Sequence, residues 1–137
     1  MKRGTWVPLL PPHARNVVVG IIVPVEPILR GIDYVLPGGE TAPQLNLIEA
    51  AAPLQVWGAL CLVAGLVALV GFWARWRTVC IAGMWLAAAT YLTLAVGQWV
   101  EVSGHPWWDG IRGPAIVTIF GAAMAGIALG YARQEPA

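Results

Sequence analysis

The chain has 137 residues, of which 58% are hydrophobic and only 11% charged, with a formal net charge of +1. A soluble domain usually carries about a quarter of its residues as charges, so the composition reads as a small integral membrane protein, a single domain over residues 1–137. The near-neutral balance also excludes a nucleic-acid binder, which needs a clustered basic face.

Residues 1–15, MKRGTWVPLLPPHAR, combine Lys2, Arg3 and Arg15 with Pro8, Pro11 and Pro12. Prolines withhold backbone donors and fix an extended path, so a basic, non-helical leader is expected. Its Lys-Arg start resembles the positive end of a secretory signal. The prolines break the apolar core, however, and no small-residue cleavage site follows, so the segment is expected to be retained.

Residues 16–36 are ambiguous, because the charge-free stretch ends at Glu26 and Arg30 and Asp33 follow. Hydrophobicity alone would fit an interfacial or re-entrant piece. Pro24 and Pro27 disfavour helical geometry at Val23 and Glu26, so a crossing here is expected to be broken or kinked at those prolines. Glu26, Arg30 and Asp33 are spaced four and three apart, which places acid, base and acid on one helical face.

A turn at Pro37, Gly38 and Gly39 and a polar connection holding Glu40, Pro43, Asn46 and Glu49 lead to the longest apolar run, Ala50 to Ala74. It lacks any formal charge and, at about 1.5 Å per residue, outreaches the roughly 30 Å hydrocarbon layer. A span over 51–73 is expected, then a short basic turn with Arg75, Trp76 and Arg77. The next span covers 78–100 and ends among Gln98, Trp99, Glu101, His105, Trp107, Trp108 and Asp109. The last covers 113–132, with Pro114 suited to a first helical turn. Cys61 and Cys80 fall in different runs and are expected to be free thiols.

Basic residues set the orientation. With four spans, Lys2, Arg3, Arg15, Arg75, Arg77 and Arg133 fall on one side, and Glu40, Glu49, Glu101 and Asp109 on the other with only Arg112. By the positive-inside rule both termini are then cytoplasmic. Three spans would destroy this asymmetry, so residues 16–36 count as a crossing. The expected architecture is an all-α, four-helix transmembrane bundle, with Trp73 and Trp76 at the inner boundary and Trp99, Trp107 and Trp108 at the outer one.

Small residues mark where the spans approach: Gly58, Gly65 and Ala68, then Gly83 and Ala87, then the GxxxG pair Gly126 and Gly130. They suit packing within one bundle or a homo-oligomeric face. Charges in a bilayer cost roughly 3 kcal/mol each, so Glu26, Arg30 and Asp33 form a candidate intramembrane polar cluster. Gln55, Tyr91, Thr93 and Thr118 are possible neighbours, and the cluster could guide protons or an ion. Alternatively the segment tilts, and Arg30 and Asp33 reach the headgroups. His105, Asp109 and Glu101 fit no zinc spacing, His13 stands alone, and no nucleophile with a plausible base, no phosphate loop and no cofactor motif is present. The chain therefore reads as no enzyme, with neither metal nor cofactor, and with the lipid bilayer as its partner.

The short connections and the ending GHPWWDGIRGPAIVTIFGAAMAGIALGYARQEPA resemble small multi-pass membrane proteins of bacteriophages that infect high-GC actinobacteria, some of them assigned as holins. That resemblance implies a protein that accumulates in the inner membrane and assembles into lesions at lysis; holins share no fixed motif, so it assigns no residue. The layout is also similar to the small multidrug resistance family, whose four helices carry a membrane glutamate in the first, comparable to Glu26. This second likeness implies a proton-coupled transporter, although the family's tryptophan-and-proline signature is absent. A superinfection-exclusion or interaction protein is the third reading.

Overall fold

Pro11 and Pro12 begin a helix. In the computed structural model, which describes residues 11–36, 38, 43–105 and 110–133, every regular element is helical. Helix α1 (Pro12–Val17) holds Pro12 in its first turn, where the missing N–H would have had no partner. The expectation of a non-helical leader is therefore corrected for residues 12–15. Residues 1–10 lie outside the described part.

From α1 the chain continues through a π-helical turn (Val18–Ile22) into α2 (Val23–Val35). The backbone stays helical through Pro24 and Pro27, and Val23 keeps φ −64° and ψ −47°. The irregularity lies one turn earlier than the prolines. Pro24 has no N–H for the carbonyl four residues behind it, that of Gly20, and its ring crowds that oxygen. A widened π turn relieves the crowding, and Trp73 Nε1 donates to Gly20 O at 2.8 Å.

A second proline acts differently. A 3₁₀ turn (Pro43–Leu45) and α3 (Asn46–Ala51) precede an extended Ala52, and Pro53 then opens α4 (Leu54–Trp73). The uncharged run from Ala50 to Ala74 is thus split, because proline drives the residue before it out of the helical region. Trp57 Nε1 donates to Ile48 O at 3.3 Å, tying α3 to the start of α4. The chain ends in α5 (Arg77–Ser103) and α6 (Arg112–Arg133). Three helices, α4, α5 and α6, are long and apolar enough to cross a membrane.

Packing proceeds in series, α2 on α4, α4 on α5 and α5 on α6. Missing side chains make these contacts close. A methyl group at Gly31 would come 2.7 Å from Gly58 O, one at Gly65 2.7 Å from Pro24 O, and one at Gly83 2.7 Å from Ala68 Cα. Only hydrogen fits at those crossings. Between them sit Cys61, Ala64, Met84, Tyr91, Val117 and Met124, all buried. Both cysteines are free and buried, as their separate runs suggested.

Gly126 and Gly130 are the exception. Both are exposed, and a methyl group at either would meet nothing within 4 Å. Gly83→Leu is therefore expected to lower stability by about 1–3 kcal/mol through overpacking, whereas Gly126→Ala leaves it nearly unchanged. Reversible unfolding of the two variants in mixed detergent micelles checks the contrast; equal losses would contradict the packing described.

Candidate functional site

Glu26, Arg30 and Tyr34 follow one another at successive turns of α2, and Tyr91 meets them from α5. Arg30 Nη2 donates to Glu26 Oε1 at 2.7 Å and Nε to the same oxygen at 3.1 Å. Nε also lies 3.2 Å from Tyr91 Oη, and Nη1 donates to Tyr34 Oη at 3.3 Å. The Tyr91 hydroxyl in turn donates to Glu26 Oε2. The Arg30 guanidinium carbon stands 5.4 Å from the Tyr91 ring centroid, within cation–π range.

Both carboxylate oxygens of Glu26 are thus engaged, and the ion pair is internally neutral. The Arg30 and Glu26 side chains are 21% and 22% exposed, so the pair is mostly withdrawn from the surroundings. Tyr91 is fully buried near the middle of α5. The cluster accordingly sits at mid-height of α5, with Arg30 turned toward Glu26 and the two tyrosines.

The sequence spacing placed Asp33 with this pair, but the structure leaves Asp33 exposed. Tyr34 takes the third position. The buried face of α2 is centred on Pro27, Gly31 and Tyr34. Glu26 and Arg30 lie at its border, and Asp33 falls one step beyond it. Of the proposed neighbours only Tyr91 joins. Gln55 is exposed, Thr93 donates to Ala89 O at 2.8 Å, and Thr118 donates to Pro114 O at 2.7 Å while accepting from Trp99 Nε1 at 3.0 Å. Tyr34 was readable in principle, since it stands four residues after Arg30 on the same helix.

The chain matches no family model, no curated protein and no solved structure.

At the opposite end of α5 from Arg77, Gln98 is 3% exposed and its Oε1 has no hydrogen-bond partner among the described residues. It lies beside Gly113 at the start of α6, as does Gln44. His105 Nδ1 is 3.1 Å from Glu101 O, while Asp109, Trp107 and Trp108 lie outside the described residues. Among the described residues no three His, Cys, Asp or Glu side chains come together as a metal site.

Chemically, the cluster joins α2 to α5 through Tyr91, which bonds to both members of a neutralised ion pair carried by α2. Removing one partner of a withdrawn pair leaves the other charge uncompensated, at a cost of roughly 3–5 kcal/mol. Arg30→Gln is expected to approach that loss, and the double variant Glu26→Gln with Arg30→Gln to recover much of it. A double-mutant cycle on unfolding in micelles measures the coupling, and additive losses would show that the pair is energetically idle.

Proposed function

We propose that this chain is a four-span protein of the bacterial inner membrane, both termini cytoplasmic, that works by assembling with its own copies, as a holin-like lesion former. The observation that carries the reading is the outward Gly126–Gly130 pair. The glycines within α2, α4 and α5 are consumed by contacts within one chain. Those two of α6 are left for a contact with another helix, and a second copy is the helix a membrane-embedded chain meets at its own concentration.

Three further features support the membrane arrangement. Ile21, Ile22, Leu29 and Ile32 of the first helical segment are exposed, while Glu26 and Arg30 turn inward, which inverts the polarity of a soluble helix. Residues 12–35, at about 1.5 Å each, are long enough to cross. Arg15, Arg75 and Arg77 line one cavity, so the ends and turns richest in arginine gather on one side, and the positive-inside rule assigns that side to the cytoplasm.

A second reading, a proton-coupled transporter or channel using Glu26, is favoured by the hydroxyl–carboxylate bond that links Tyr91 to Glu26 between two helices. The engagement of both Glu26 oxygens weighs against it. A proton carrier must exchange its proton with each side, and both oxygens of this carboxylate are already taken up by Arg30 and Tyr91.

Induced expression is expected to halt growth abruptly and depolarise the cells, and bulky substitution of the outward pair, Gly126→Ile with Gly130→Ile, to abolish both effects and the cross-linked oligomer while the monomer still folds. Harmless expression of the native chain would sink this reading. The transporter reading predicts instead that Glu26→Gln removes a proton-coupled flux in proteoliposomes; lesion formation predicts that leakage survives that change wherever the variant reaches the membrane.

A further inference from the structure

The arginine-rich end of the helices holds a half-open cavity of about 600 Å³. Arg15 and Asn16 of α1, Phe72 and Trp73 of α4 and Tyr131 of α6 line it, together with Arg75 and Arg77. The crossing of α4 and α5 at Gly71 and Cys80 also borders it. A methyl group at Gly71 would come 2.7 Å from Cys80 Cα there, so the two backbones meet closely beside the cavity.

From this lining we infer that the cavity is a binding site for a phosphate-bearing anion. Three guanidinium groups border it, and no described lining residue is a carboxylate. Arginine presents planar donors that match phosphate oxygens in pairs, and Asn16 adds an amide to the same opening. Arg77 is partly spent, since its Nε donates to Tyr131 O at 3.0 Å and Nη2 to Ala132 O at 3.1 Å, capping α6. The Arg15 and Arg75 guanidiniums make no ion pair or hydrogen bond among the described residues.

Arg75 also holds a positive φ of 60° in the turn between α4 and α5, a conformation disfavoured for a side chain of its size. An exposed turn of that shape favours glycine, so the arginine stands against its own backbone preference.

The aromatic share of the lining fits an amphipathic ligand. Trp73, Phe72 and Tyr131 offer apolar surface beside the cationic rim, the combination met by a lipid headgroup whose glycerol and first methylenes enter with the phosphate. A basic pocket between membrane helices is a recurrent setting for anionic headgroups. A free phosphate would use the arginines alone. The inference rests on the membrane reading of the helices and not on self-assembly, so a growth or lysis assay neither supports nor damages it.

The purified full-length chain, in zwitterionic detergent, is titrated with short-chain phosphatidylglycerol, with phosphatidylcholine of equal chain length and with inorganic phosphate. Binding is read as thermal stabilisation and as ligand retained in native mass spectrometry. Phosphatidylglycerol is expected to bind, and Arg15→Gln with Arg75→Gln to weaken it roughly tenfold or more. Arg15→Lys with Arg75→Lys should restore part of the affinity. Arg77 is left in place because it caps α6, and unchanged melting of the ligand-free variants controls for folding. Preference for phosphatidylglycerol over inorganic phosphate assigns the site to lipid; equal, arginine-dependent binding of inorganic phosphate assigns it to a free anion. Equal binding of phosphatidylcholine and phosphatidylglycerol, or affinity indifferent to the two arginines, overturns the inference.

Discussion

Close approach of helix backbones at α4 is the constraint on which the rest of the structure depends. Lipid tails are as apolar as leucine, so helices in a bilayer gain little by hiding leucine from lipid and gain instead from dense contact between backbones. Gly58 and Gly65 let α2 settle onto α4, and Ala68 and Gly71 admit α5 on the other side. The hydrophobic residues that would build the core of a soluble bundle, such as Val63, Leu66 and Val70, point outward. Alanine, glycine and cysteine fill much of the interior in their place.

That seating of α2 decides what happens to the charges. A lone carboxylate or guanidinium far from water is costly, and the sequence alone could only ask for a partner. With α2 held against α4, Glu26 and Arg30 are directed toward Tyr91 on α5, so one phenol serves the acid as donor and the base as acceptor. Tyr34 adds a second acceptor. A neighbouring strain is met in the same way. The carbonyl of Gly20, deprived of its usual partner by Pro24, receives the indole N–H of Trp73 from the end of α4. A tryptophan that composition marks as a boundary residue is thus also a hydrogen-bond donor to a specific backbone oxygen.

The two ends of the helices differ. One gathers Arg15, Arg75 and Arg77 around a cavity, with Arg77 holding the last carbonyls of α6. The other keeps a buried glutamine beside the start of α6. The asymmetry follows from an antiparallel path, which returns the chain to the basic end after α4 and again after α6. It is also why residues far apart in sequence, Arg77 and Tyr131, become direct neighbours.

Much of this was legible in the residues. The uncharged runs located α4, α5 and α6 because a bilayer crossing needs length and hydrophobicity, and both are local properties. The spacing of Glu26 and Arg30 gave their pairing because a helix brings residues four apart together whatever surrounds it. Other features depended on what lies across the gap. Pro24 left the chain helical, with Trp73 donating to the carbonyl four residues behind it, while Pro53 divided α3 from α4. Asp33 yielded to Tyr34, and the glycines of α4 were consumed while Gly126 and Gly130 were spared, because which arc of a helix faces inward is set by its neighbour. A single chain's periodicity supplies helices, their lengths and their local pairs; the side on which each is buried is a relation between two surfaces, and only the assembled structure contains both.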